Sequence, residues 1–401
     1  MKISKSLVIN FLFAGVVLFL TRQFPLNAYS TLGNMFLIGL LFVSFFWKNK
    51  TIDISSRKTI KLIFIWSIFL LVYAVLIREN SINLVFRFYI IILCLLLSHW
   101  VYLPLVTTKR IFFFFILLQC FVLIAIEAIM NLFFSINNYL PLRFFFQGEG
   151  WGDVYTYDGF FYRVQIKGNA LIPFAFFLTF LKDYTFKHRR TLQIILLISS
   201  IIAGNFAYLI AIFLFFVFWY LFNNLRKRKL INRIIIFSFI FALSIGSVIE
   251  YTQEILDRKS DYSLGTRNDQ VDVLIRDVQK DVSTLLLGKG LGNNVMIKTS
   301  FRDYTDNLYF EIQAMYFFNQ LGLINSLIFI SFLLFLAIKK IFYKDLLFIY
   351  LCYIVYAITN PYILDTTQIV VILILISISY ERKQKNRLYN SAIQPQLGSN
   401  S

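Results

Sequence analysis

The chain alternates long apolar runs with short, mostly basic polar intervals. A bilayer-crossing helix uses about 20 residues, and reading for apolar runs broken by charge predicts spans at 7–20, 31–47, 62–77, 84–103, 111–134, 168–181, 192–203, 206–222, 234–249, 308–338, 346–359 and 368–380. Lys2 and Lys5 before the first run resemble the start of a signal peptide. No small-x-small cleavage site follows and another span comes at once, so a retained signal anchor is expected. The stretch 192–221 is nearly uninterrupted and about 45 Å long as one helix, too long for a core of about 30 Å. Basic clusters flank it on both sides (Lys187, Arg189 and Arg190; Arg226 to Lys229), so two crossings with a turn near Gly204–Asn205 are expected.

Composition narrows the class. Apolar residues make up 59% of the 401 and charged residues only 15%, with a mean hydropathy of +0.71. No water-soluble fold of this size hides that much apolar surface, which excludes soluble, disordered and disulfide-framework classes. The expected fold is an all-α polytopic membrane protein of about twelve transmembrane helices, with both termini cytoplasmic and two long extracytoplasmic loops. Cys94, Cys120 and Cys352 all fall inside apolar runs and read as small core residues.

The net charge of +18 looks at first like a signal for an acidic partner. On the expected topology, however, 25 of the 39 Lys and Arg and only four acids (Asp53, Asp183, Asp345, Glu381) fall on the cytoplasmic side. Every cytoplasmic piece is rich in Lys and Arg, as the positive-inside rule requires. The excess is therefore an orientation signal in contact with anionic lipid, and a nucleic-acid partner is not expected.

Polar chemistry concentrates in the two long loops, 135–167 and 250–307, while 381–401 is a cytoplasmic polar tail. The first loop interleaves aromatics with Gly and carboxylates through Trp151, Asp153, Tyr155, Tyr157 and Asp158. Such faces stack on sugars, although an interfacial aromatic belt has the same composition. Arg163 and Lys167 then precede Gly168-Asn169 and an apolar helix containing Pro173. Two cations at a helix N-terminus attract phosphate. In the second loop, Val271, Leu274, Ile275, Val278 and Val282 recur at helical spacing, predicting an amphipathic helix on the membrane or over a cavity. Gly288, Gly290 and Gly292 mark a tight turn where backbone can approach a ligand. Glu127, read as lying near a span centre, is expected to face a polar cavity or a partner.

Three segments, in order, resemble a known family. They are Arg163 through Asn169 to Pro173; Gly265-Thr-Arg267 followed by Leu286-Leu-Gly288-Lys-Gly290-Leu-Gly292; and Thr305-Asp306-Asn307-Leu-Tyr followed by Leu321-Gly322-Leu-Ile. Together they resemble the O-antigen polymerase (Wzy) and O-antigen ligase superfamily, multispan glycosyltransferases of the GT-C class. The resemblance implies glycosyl transfer on the outer face of the bacterial cytoplasmic membrane, with no metal and no other cofactor. Donor and acceptor are oligosaccharides on undecaprenyl diphosphate, with a flippase and a chain-length regulator as associated partners. Arg163 and Arg267 occupy the positions that engage the diphosphate and sugars. Lys167, Asn169, Gly288, Gly290, Gly292, Asn307, Glu311, Trp151, Tyr155 and Tyr157 are the expected substrate contacts.

Ligases of this superfamily carry a His where this chain has Asp306. His99 and His188, the only two histidines, both map to the cytoplasmic side. This departure favours a polymerase, with Asp306 as general base and Glu311 as the fallback; Asp306 also suits a helix N-cap. A ligase and a lipid-linked oligosaccharide flippase are the competing readings. Against the flippase, no internal repeat is evident and polar residues gather outside the membrane.

Overall fold

The computed structural model describes residues 5–20, 30–46, 54–104, 108–156, 161–166, 168–222, 265–298, 303, 310, 312–341, 343–358, 360 and 362–397. The expected span 234–249 and the first half of the second long loop lie outside these residues. The described residues are mostly helical. In order, the helices are α1 (Lys5–Leu20), α2 (Ser30–Phe46), α3 (Ile54–Val72), α4 (Ile82–Leu97), α5 (Phe113–Phe133), α6 (Leu140–Gly148), α7 (Leu171–Leu178), α8 (Arg189–Ile202), α9 (Phe206–Phe222), α10 (Gly265–Val278), α11 (Val282–Leu287), α12 (Gln313–Lys340), α13 (Lys344–Ile358) and α14 (Thr366–Leu397). A π-helical turn, Tyr73–Ile77, prolongs α3, and another, Thr108–Phe112, precedes α5.

Four helical segments among the described residues are long and apolar enough to cross a membrane: Arg57–Ile77, Ile82–Trp100, Lys109–Phe133 and Gln313–Lys340. Their outward faces are apolar too. On α3, Ile63, Trp66 and Leu70 are buried, while Leu62, Ile65 and Ile68 are more than half exposed. A helix apolar on its solvent side has lipid as that solvent. The protein is a helical membrane protein. At its centre the stretch Ile369–Ile376 of α14 is apolar all round, and every residue in it is fully buried.

Several elements differ from the sequence expectation. Segment 168–181 forms only the eight-residue α7, buried along its whole length. At about 12 Å it is too short to cross a hydrocarbon core; it is apolar because protein encloses it on all sides. The 192–222 stretch does divide as expected: α8 ends at Ile202, Gly204 turns the chain at φ +66°, and α9 begins at Phe206. The polar tail is helical, α14 running on to Leu397.

The first long loop is not purely helical. After α6 it forms an antiparallel hairpin of β1 (Gly152–Tyr155) and β2 (Arg163–Ile166), pairing Gly152 with Ile166 and Tyr155 with Arg163. The alternation Arg163-Val164-Gln165-Ile166 buries Val164 and Ile166 and turns the other two outward. Glu127 sits in the last two turns of α5 rather than at its centre, and Asn131, one turn on, donates a hydrogen bond to it.

Candidate functional site

The hairpin carries the first cluster. Because directly paired residues share a face, Asp153, Tyr155, Arg163 and Gln165 lie together on the partly exposed side. Gln165 Nε2 donates to the Tyr155 hydroxyl at 3.0 Å. Arg143 of α6 reaches across and grips Asp153 through Nε (2.8 Å) and Nη2 (2.9 Å), a bidentate pair that pushes the guanidinium pKa up. The Tyr155 ring is then within cation–π range of two guanidiniums, with Arg143 Cζ 5.8 Å and Arg163 Cζ 6.0 Å from its centroid.

What supports Arg163 from below is the α8–α9 turn. A Cβ on Gly204 would fall 2.6 Å from Arg163 Cβ, so the arginine stem lies directly on this residue. The adjacent Asn205 donates to Asn360 Oδ1 at 2.8 Å, and Asn360 donates to the Tyr356 carbonyl at 2.8 Å. Tyr356 in turn donates to the Ala170 carbonyl at 2.6 Å. Arg163 therefore stands on a platform tied to α7, α9 and α13.

Asn169, expected to touch substrate, is 2% exposed. It donates to the Val164 carbonyl at 2.9 Å and accepts from Gln119 Nε2 at 3.0 Å, fixing the turn out of β2 against α5. The N-terminus of α7 is closed in the same way. Gly168 through Ile172 are buried, and the Leu171 and Ile172 N–H groups donate to the Gly168 and Asn169 carbonyls. The expected helix-dipole contribution to an anion site at Arg163 is thus absent from the surface. Trp151 is half-buried, its ring edge-on to Phe145 and Phe146 at 5.3 and 5.4 Å. Lys167, Tyr157, Asp306, Asn307 and Glu311 lie outside the described residues.

The second cluster is the glycine turn. Residues Leu286–Gly292 dock into a break in α12, where Gly322 adopts φ +68° and ψ −177°. The break frees carbonyls that the turn satisfies: Lys289 N donates to Asn319 O and Gly290 N to Gln320 O, both at 2.9 Å. Gly292 N donates to Gln320 Oε1 at 3.0 Å. Asn325 Nδ2 donates to the Leu287 and Leu321 carbonyls, and Trp66 Nε1 donates to Asn325 Oδ1. From the other side, Asn80 Nδ2 donates to the Lys289 and Leu291 carbonyls at 2.9 Å, and Tyr73 donates to Gly288 O. Close approach was the expected purpose of Gly288, Gly290 and Gly292; the backbone they approach is that of Leu321–Gly322, Ala74 and Leu84–Val85.

Sequence reading passed over Tyr73, Arg78, Asn80, Asn319, Gln320 and Asn325. Three side-chain amides in one apolar run (Asn319, Gln320 and Asn325) were the available signal, because intramembrane polar groups demand partners.

Arg267 lies half-buried in the first turn of α10. The amphipathic helix is docked on protein: Leu274, Val278 and Gln270 are buried where it meets α12, and Asn319 Nδ2 donates to Asp277 Oδ2 at 3.1 Å. Burial opposes ionisation of Asp277, but Lys280, Asn319 and Lys289 outweigh it and hold the carboxyl below its ordinary range. A cleft of about 380 Å³ opens beside it, with Arg276, Lys280, Lys289, Asn293 and Asn294 on its walls.

No protein-family model matches this chain, and neither does any curated protein or solved structure.

Proposed function

We propose that this protein is a polysaccharide polymerase of the bacterial cytoplasmic membrane. It would join repeat units carried on undecaprenyl diphosphate at the outer face and release undecaprenyl diphosphate. The observation that carries the reading is Arg163: a cation held on a hairpin against the Gly204 turn, within cation–π range of Tyr155, whose ring a second guanidinium also approaches. Departure of a lipid diphosphate develops negative charge on oxygen, and preorganised cations stabilise that charge best in a water-poor site. The acceptor hydroxyl attacks the anomeric carbon of the donor, with Asp306 as base and Arg267 as the second cation. Neither a metal nor another cofactor is required in this scheme.

The packing of the resemblance segments supports it further. Leu286–Gly292 and Leu321–Gly322, far apart in sequence, meet backbone to backbone. The expected sidedness of the polar segments suits the long-range polar contacts, which join pieces expected on one side. Arg382 bonds both Asp183 and Asp345 on the inner side. On the outer side, Asn205 bonds Asn360, and Arg78 and Asn80 bond residues 284–291.

The test is the glycan profile of a deletion strain. One repeat unit on the acceptor supports the polymerase. No transferred glycan would indicate a ligase, and lipid-linked units trapped facing inward a flippase.

A further inference from the structure

Between α3 and α12 lies a groove of about 540 Å³, lined by Lys58, Thr59, Leu62, Leu327, Phe332 and Phe335, with Ile328 and Ser331 completing its wall. The two helices run side by side and antiparallel. Trp66 bonds Asn325 and stacks on Phe329 at 6.2 Å, and one to two turns earlier α3 meets the last turns of α12. The N-terminal end of one span and the C-terminal end of the other therefore reach the same membrane boundary.

Among the described residues the groove walls are apolar and exposed: Leu62 and Leu327 are each 56% exposed and Phe335 49%. The cations gather at one end. Lys58 and Lys61 are exposed one turn apart on α3, and Lys339 Nζ lies 5.3 Å from the Phe335 ring. Among the described residues, no acid forms an ion pair with Lys58, and the groove lining contains no carboxylate. An apolar slot running from a membrane boundary into the bilayer, with Lys58, Lys61 and Lys339 as the charged residues described at its mouth, matches one ligand chemistry: an acyl chain joined to an anionic head.

We infer that this groove is a binding site for an anionic diacyl phospholipid of the leaflet at the basic ends of α3 and α12. One acyl chain lies along Leu62, Leu327, Ile328 and Phe332, and the phosphate meets Lys58 and Lys339. Thr59 and Ser331 supply hydroxyls along the same wall. The inference is independent of the polymerase reading, since it uses none of that reading's residues.

The experiment is lipid retention by the purified full-length protein, measured by native mass spectrometry with phosphatidylglycerol and phosphatidylcholine of identical chains. The wild type retains phosphatidylglycerol about thirtyfold more strongly, from about 1 kcal/mol for each of the two lysines near the headgroup. Lys58→Gln with Lys339→Gln removes that preference and leaves chain binding. Leu327→Trp, which fills the slot, removes bound lipid of both kinds while both lysines remain. Equal retention of the two lipids by the wild type overturns the inference. So does a preference that survives the double glutamine variant, or a groove that holds undecaprenyl phosphate and rejects phosphatidylglycerol.

Discussion

Gly288 and Gly322 meet backbone to backbone: a Cβ on Gly288 would fall 2.5 Å from the Gly322 nitrogen, and a Cβ on Gly322 would press on Gly288 in return. Both have positive φ, +83° and +68°. The contact joins the second long loop to the broken helix α12, and the clasp of Asn319, Gln320 and Asn325 is built around it.

Gly288→Ala or Gly322→Ala should accordingly destabilise the protein by about 2–4 kcal/mol, combining left-handed strain with a backbone clash. Gly148→Ala is the control, since nothing lies within 4 Å of its added Cβ. Thermal unfolding of the solubilised protein checks this. Equal melting temperatures for all three variants would remove the clasp as a structural element.

Asp281 gives a pH prediction. Its carboxylate caps α11, accepting from the Ser283 and Thr284 hydroxyls and the Thr284 N–H, and these bonds hold its pKa well below the ordinary carboxylate range. A depressed pKa contributes stability above the unfolded value of about 3.9, and that contribution fades as pH falls through the folded value. Wild type and Asp281→Asn should therefore differ in stability at pH 5–7 and converge progressively below about pH 4. A difference that is unchanged at pH 3 would contradict the capping account.

Sidedness can be read with cysteine labelling. The native Cys94, Cys120 and Cys352 are buried and free, so they give little background. Cysteine at Asn205 or Asn360 should react with a membrane-impermeant maleimide from outside intact spheroplasts, and cysteine at Lys344 only after permeabilisation. Reversal of that pattern would overturn the orientation.

Asn169 and Arg163 separate structure from chemistry. Asn169→Ala leaves Gln119 and the Val164 carbonyl without a partner and should lower stability by about 1–3 kcal/mol. Thermal unfolding against wild type measures it. A variant as stable as wild type, with activity lost, would return Asn169 to the substrate.

The sequence made the membrane class legible because apolar runs of bilayer length are the strongest periodic signal a chain carries. The Gly204 turn was legible too, because two basic flanks cannot both be cytoplasmic around a single crossing. Segment 168–181 misled because apolarity counts residues hidden from water and does not distinguish lipid from protein as the cover; α7 is covered by protein. The hairpin was written as Arg163-Val164-Gln165-Ile166, four residues of alternation, too few to outweigh the helical surroundings. At the site, Arg163 was visible as a cation at a loop edge. Arg143, which approaches the same Tyr155 ring, was not, since α6 must pack on β1 and bond Asp153 to bring it there.

The central claim rests on Arg163. Cells whose only copy carries Arg163→Ala should make the protein at wild-type level and display glycan of a single repeat unit, the loss of one charge-stabilising donor being worth about 2.7–4 kcal/mol, or 10²–10³ in rate. A full-length ladder of chains from that strain would contradict the account.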